Sequence, residues 1–337
     1  MQVIDSADTT LDAMERAPVN AKNRPPTEVK FIVVLRGGGE ATTIPATNLA
    51  YMQCTASIGV GNPATYYDLV VDTASSNTIR KTYIRTSMSI PTGQEVNVMY
   101  PSGFFSEYEY VDQVTIASGL VIKNQSISDT LEYADFEGVD GIIGVGPMDL
   151  TLDTLYPGVN AEIWTVMNNA YEQGLILEQL LGVSFAPADS YSDTNGALTF
   201  GGIDSSLYTG EITYTPVTTT HLIYIADNFH STHQNTIPGT YYDNTGLIII
   251  PESSVTSMQN FDFEIVGTTF TLDAEAQRLP RDQNLARGVE PGLHYGYISP
   301  IGSPSGEGLD FIIGQKFMGR YYASFDMDNQ LVGFPYT

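Results

Sequence analysis

Basic residues are scarce in this chain: 14 Lys and Arg face 39 Asp and Glu over 337 residues, for a formal charge of −25 at neutral pH. Nucleic-acid binding needs a basic surface against the phosphates, so that class of partner is excluded, and anionic membranes with it. Long apolar runs are missing too. The most apolar stretches, such as Leu247–Ile250, have the length of a strand rather than of a membrane span. Cysteine occurs once, at Cys54, so no intramolecular disulfide or multi-thiolate metal site can form. In its apolar, alternating surroundings Cys54 reads as a buried filler. Among the histidines (His221, His230, His233, His294) only His230 and His233 form a close pair, in what reads as a polar loop. Zinc needs more ligands than that, and neither metal nor cofactor is expected.

Tyr, Thr, Ser, Val, Ile and Gly are abundant, a profile of strands and turns. Short strands are predicted at Cys54–Val60, Tyr67–Val71, Gln94–Tyr100, Tyr110–Ile116, Gly196–Phe200, Glu211–Thr215, Phe261–Ile265 and Thr268–Leu272. The best helical stretch is Glu162–Gln173, with Trp164, Val166 and Met167 as its apolar points. The expected class is all-β with a few short helices, in a chain long enough for one large unit or two domains. Residues 1–43 differ from the rest. They hold Pro25-Pro26, Gly37-Gly38-Gly39 and several of the few cations (Lys22, Arg24, Lys30, Arg36), with one short strand at Phe31–Leu35. They read as a leader or removable pro-region. Met1–Arg16 shows no apolar secretory signal, and Asn124-Gln125-Ser126 is a glycosylation sequon that matters only if the chain is exported. The acidity suits work at low pH, where carboxylates discharge, and equally suits simple solubility.

Two short phrases echo one another across the chain, Asp140-Gly-Ile-Ile-Gly144 and Asp310-Phe-Ile-Ile-Gly314. A repeated apolar-apolar-Gly strand end suggests two related lobes. The chemistry gathers at Val70-Val71-Asp72-Thr73-Ala74-Ser75-Ser76-Asn77-Thr78. A carboxylate directly after a buried strand is costly unless N–H groups and hydroxyls of the turn hold it. From spacing alone, an Asx turn closing a strand is an equal reading.

This segment resembles the Asp-Thr-Gly-Ser-Ser-Asn loop of pepsin-family aspartic endopeptidases, and the likeness runs over nearly all of residues 44–337. Further matching phrases are Ile44-Pro-Ala-Thr-Asn48, Ser57-Ile-Gly-Val-Gly-Asn-Pro63, Gly138-Val-Asp-Gly-Ile-Ile-Gly-Val-Gly-Pro147, Leu198-Thr-Phe-Gly-Gly202 with Tyr208-Thr-Gly210, and Ser305-Gly-Glu-Gly-Leu-Asp-Phe311. Within the family the pattern is nearest the polyporopepsin-like enzymes of basidiomycete fungi. The resemblance implies a bilobal fold, with an N-terminal lobe over 44–216 and a C-terminal lobe over 217–337. It also implies a monomeric, secreted acid protease without cofactor, taking extended polypeptide or pepstatin-like inhibitors between the lobes. Two carboxylates sharing a proton would activate water and polarise the scissile carbonyl. Asp72 would be one of them. Thr73 would tie the loop into the inter-lobe lattice, Ser75 would steady the outer carboxylate oxygen, and Tyr100 would be the flap tyrosine.

The chain departs from the family pattern at four places. Ala74 replaces a glycine where the loop packs against its twin, Ile79 stands where a tryptophan is usual, and Pro101 replaces a flap glycine. The fourth departure is the second aspartate loop, which is not found. Asp243, in Tyr241-Tyr242-Asp243-Asn244-Thr245-Gly246, is a weak candidate, and Asp227 a poorer one. The segment around Asp243 better resembles a later part of the family, so the expected alignment jumps from about Asp227 to Tyr241, omitting a strand, the catalytic loop and a helix. The second lobe is then incomplete. Three readings stay open: an acid endopeptidase, an inactive binding or inhibitory descendant, and an incomplete gene product.

Overall fold

The computed structural model describes residues 40–49, 53–80, 83–100, 103–133, 138–185, 192–216, 219–220, 223–242, 247–285, 289–307 and 310–335. The segment before residue 40, with the strand expected at Phe31–Leu35, lies outside them.

The first half runs β1 (Thr42–Leu49), β2 (Gln53–Val60), β3 (Thr65–Asp72), β4 (Thr78–Arg80), β5 (Ile90–Tyr100), β6 (Gly103–Ala117), β7 (Leu120–Tyr133), β8 (Gly141–Gly144), β9 (Leu155–Tyr156), helix α1 (Val166–Glu172), β10 (Leu180–Ser184), β11 (Ser192–Phe200) and β12 (Ile212–Pro216). The second half runs β13 (Thr219–Thr220), β14 (Ile223–Ile225), α2 (Asp227–Asn235), β15 (Tyr241–Tyr242), β16 (Ile248–Ile250), α3 (Glu252–Val255), β17 (Phe261–Ile265), β18 (Thr268–Leu272), β19 (His294–Gly296), β20 (Ile298–Pro300), β21 (Phe311–Gly314), α4 (Gln315–Met318), β22 (Ala323–Asp326) and β23 (Leu331–Pro335).

The all-β expectation holds, and two strands match it end to end. In β17, Phe263 and Ile265 are buried while Asp262 and Glu264 are exposed; in β18, Phe270 and Leu272 are buried. That alternation places Phe263 opposite Phe270 in the antiparallel pair. From there an aromatic cluster spreads inward: Phe270 meets Phe317, Tyr321 and Phe334 with ring centroids 5.9, 5.2 and 6.0 Å apart, all edge to face.

Fourteen strands form one large sheet, in the order β12-β23-β22-β10-β11-β1-β2-β3-β8-β4-β7-β6-β5-β9. A second sheet has the order β13-β21-β14-β20. The principal core cluster runs from Ile44 to Phe334, drawing on β1, β2, β3, β10 and β11 as well as β14, β17, β18, β22 and β23. Each large apolar side chain buried there contributes ~1.5–3 kcal/mol relative to exposure. Cys54 is buried, in line with its reading as a filler.

Three expectations need correction. Helix α1 starts at Val166, four residues later than expected. Thr165 and Asn168 cap it reciprocally, and Trp164, expected to be one of its apolar points, precedes it and is 46% exposed. The interval from Asp227 to Tyr241 is not a bare connection, since helix α2 occupies Asp227–Asn235. For the same reason His230 and His233 do not lie in a loop. They sit one turn apart on α2, a helix with so few apolar residues that periodicity did not reveal it.

Candidate active site

β3 ends on Val70, Val71 and Asp72, and β8 lies parallel beside it, with Val70 paired to Ile142, Val71 to Ile143 and Asp72 to Gly144. β8 is the first of the two echoed phrases. It is buried along its whole length, which two isoleucines between two glycines allow. Three backbone hydrogen bonds tie the Asp72 loop to the end of β8. Val145 donates to the Asp72 carbonyl at 2.9 Å, Gly146 to that of Ser75 at 2.9 Å, and Gly144 to that of Asn77 at 3.1 Å. Within the loop the Ala74 N–H donates to Asp72 Oδ1 at 2.9 Å, which fixes the side chain's orientation. Ser76 Oγ donates to the Pro147 carbonyl at 2.5 Å, fixing the outer turn.

The glycines are required here. A Cβ on Gly146 would lie 2.8 Å from the Thr73 carbonyl oxygen and 2.9 Å from that of Ser75. On Gly144 it would lie 2.7 Å from the Asn77 nitrogen, with the Ser76 backbone closer still. The loop rests directly on backbone that carries no side chain.

Asp72 and Thr73 are half-buried, and Ala74 is exposed. Ser75 is buried, but its hydroxyl has no hydrogen-bond partner among the described residues, so the bond expected from it to Asp72 is not made in this state. Ile79 is fully buried and packs with Val70, Val139 and Ile142 behind the loop, so the residue that replaces the family's tryptophan serves as core. Tyr100 closes β5 opposite Gly103 of β6. Its ring and the hairpin tip with Pro101 lie outside the described residues, and so does Asp243.

The second echoed phrase is β21, and it repeats the first one's pairings. β8 has β3 parallel on one side and β4 antiparallel on the other, and β4 runs parallel to β7. β21 has β13 parallel and β14 antiparallel, and β14 runs parallel to β20. Register then identifies counterparts. Asp72 lies opposite Gly144, and Thr220 lies opposite Gly314. The place that corresponds to Asp72 in the second half is held by a threonine. Between β3 and β4 come Thr73 to Asn77; between β13 and β14 come only His221 and Leu222. Beyond β13 this sheet has no described strand in the position that β2 takes beside β3. Sequence reasoning missed this equivalence, although the two Ile-Ile-Gly phrases were the anchors from which to count.

Asp227, the poorer candidate, has a structural task. It is the first residue of α2, its carboxylate accepts the Gly302 N–H at 2.8 Å, and its own N–H donates to the Ser303 carbonyl at 3.0 Å. Further along α2, burial, with His230 adding a smaller effect, pushes His233 down to about 4; burial also lowers His230. Among the described residues no group of three or more His, Cys, Asp or Glu could hold a metal ion together. Of two cavities formed by the described residues, of about 410 and 530 Å³, neither is lined by Asp72.

Comparison with known proteins shows the family and the fold. The family model for eukaryotic aspartyl protease matches residues 53–225 and 218–336. The chain is 41% identical to polyporopepsin of Irpex lacteus over 333 residues, covering 88% of this chain and 97% of that protein. It is 26% identical to cathepsin D of Dictyostelium discoideum, covering 87% and 85% of the two chains. The crystal structure of the aspartic proteinase from Irpex lacteus matches with a TM-score of 0.83 at 41% identity, over 88% of this chain and 98% of that one.

Proposed function

The chain belongs to the eukaryotic aspartyl protease family, and from that premise we propose that it is an aspartic-type endopeptidase acting on extended polypeptide at acid pH, with Asp72 as the water-activating carboxylate. The observation that carries this is the Asp72 loop: a carboxylate at a strand end, held by the Ala74 N–H and seated on Gly144 and Gly146. Half-buried, Asp72 can hold a water and take a proton from it as the water attacks a peptide carbonyl. Thr73 and Ser75 support the loop. Ser75 Oγ is buried and without a hydrogen-bond partner among the described residues, which leaves it available to steady the loop's carboxylate. Tyr100, at the end of the β5–β6 hairpin, covers the substrate. Peptide and pepstatin-like inhibitors are the partners, and the protein acts as a monomer after export; one relative, 25% identical, is by name a vacuolar aspartic protease of Candida albicans.

A specific observation favours a second reading, in which peptide is bound and not cleaved. Thr220 stands opposite Gly314 where a second carboxylate would stand opposite its glycine. A threonine hydroxyl can donate a hydrogen bond to a carbonyl but is no carboxylic acid, and one general acid or base is worth ~10²–10⁴ in rate. Coverage supports the same reading. Polyporopepsin aligns over 333 positions, yet 88% of this 337-residue chain is about 297 residues, so about 36 positions have no residue here.

One assay separates the two: proteolysis of a denatured protein at acid pH, with and without pepstatin, for the native chain and Asp72→Asn. The endopeptidase reading expects cleavage that pepstatin blocks and Asp72→Asn abolishes. Cleavage that pepstatin leaves untouched would overturn it, and peptide binding without cleavage at any pH would establish the second reading.

A further inference from the structure

The cavity of about 410 Å³ brings together two features that occur once each in the sequence. Asn124-Gln125-Ser126 is the single Asn-X-Ser/Thr sequon of the chain, and Trp164 is the single tryptophan. Asn124, Ser126 and Trp164 all line this cavity, together with Glu109. Asn124 is exposed. It has a φ of 53° at an irregularity in the β6–β7 pairing, a conformation asparagine accepts more readily than most residues.

Sequon and indole belong to one frame. Gln125, 1% exposed, donates from Nε2 to the Trp164 carbonyl at 2.8 Å and accepts at Oε1 from Asn169 Nδ2 at 2.9 Å. On either side of it, Asn124 and Ser126 reach the cavity. The polar wall is equally fixed. Glu109 is buried, its Oε1 accepting from Ser126 Oγ at 2.6 Å and its Oε2 from Thr92 Oγ1 at 2.8 Å. An exposed aromatic face beside anchored carboxylate and amide groups suits a sugar ring, whose C–H face is apolar and whose edge is hydroxylic.

We propose that Asn124 carries an N-linked glycan and that its first sugar seats against Trp164 in this cavity. This rests on the reading that the chain is exported. In the step itself the Asn124 carboxamide nitrogen bonds to C1 of an oligosaccharide carried on a lipid diphosphate. The bond from C1 to the diphosphate oxygen breaks, the bonding pair leaves with the lipid diphosphate, and the amide proton is released. The attached sugar then covers an indole that is otherwise 46% exposed.

The test uses the full chain behind a heterologous secretion leader in a yeast host, so its outcome depends neither on native export nor on proteolysis. Intact mass is measured before and after treatment with peptide-N-glycosidase, beside Asn124→Gln. The expected result is one mass excess, removed by the enzyme and absent from the variant. Because Trp164 is the single tryptophan, acrylamide quenching of its fluorescence reports the seat, and it should rise when the glycan is removed from the folded protein. Translation of the same fusion into microsomes reads modification even if secretion or the variant's folding fails. An imported chain without the mass excess overturns the modification, and a glycosylated chain whose quenching is unchanged by deglycosylation overturns the seat.

Discussion

At the scale of single residues the site depends on what glycine leaves out. A methyl group on Gly144 would press on the backbone of Ser76 and Asn77, which cannot rotate aside as a side chain can. Gly144→Ala should therefore destabilise the protein by about 1–3 kcal/mol, as overpacking against fixed neighbours does. It should also displace the Asp72 loop. Urea denaturation measures the first effect and pepstatin binding the second; an unchanged urea midpoint would show that the loop is not seated on this glycine. Asp72 stood out in the sequence as a carboxylate after the buried Val70-Val71, but that alone fitted an Asx turn equally well, and only the resemblance of the whole loop to the family motif singled it out. Thr220 was not legible. Nothing about a threonine in a run of threonines is unusual, and only its pairing with Gly314 identifies it as the counterpart of Asp72. Ser75 was legible as a loop residue, but a hydroxyl left without a partner is a property of the packed state alone.

Elements are governed by local chemistry that can be tested one at a time. The β17–β18 hairpin was readable to its last residue because burial alternates strictly along both strands. Its turn is poorly matched to its sequence, however. Val266 has a φ of 48° and is 71% exposed, beside Gly267 at 76°. A two-residue turn with both φ values positive suits Asn-Gly, whereas a β-branched residue is strained there. Val266→Asn is expected to stabilise the protein by ~1 kcal/mol, the scale of strain at such positions, measured as a shift of the urea midpoint at constant slope. A lower midpoint would mean that Val266 makes contacts outweighing its strain.

Helix α2 was not readable, since its one large apolar residue, Phe229, is 49% exposed, and its inward residue is His230. Burial there has a sign that can be worked out. His233 titrates at about 4 in the folded protein, against about 6.5 unfolded, so between those values the unfolded chain holds the extra proton. The stability that neutral His233 contributes is complete above about pH 6.5 and is lost as the pH falls toward 4. The full shift would correspond to about 3 kcal/mol, and partial solvent access reduces this to the order of 1–2. In His233→Gln the stability difference from the native chain should change by that amount across the window. A difference constant with pH would place His233 in water.

For the molecule as a whole, charge and core act on different ranges. The main cluster joins both halves through residues from Ile44 to Phe334, while smaller clusters around Tyr295 and Ile250 serve the second half alone. Along the whole chain 39 carboxylates face 14 Lys and Arg, an imbalance that composition already showed. Self-repulsion destabilises the compact state, and salt screens it, the Debye length falling from ~30 Å at 0.01 M to ~8 Å at 0.15 M. Raising ionic strength across that range at pH 7 should therefore raise the melting temperature. Near pH 4 carboxylates are being protonated and the imbalance shrinks, so the same change in salt should do much less. His233 works in the opposite direction as pH falls, but it is one half-buried group against a surface of many carboxylates. The ionic-strength comparison thus isolates repulsion, where a pH scan alone would mix the two. Scanning calorimetry at both salt concentrations and both pH values decides the matter. A salt response no larger at pH 7 than at pH 4 would show that the acidic surface is spread too widely to oppose folding.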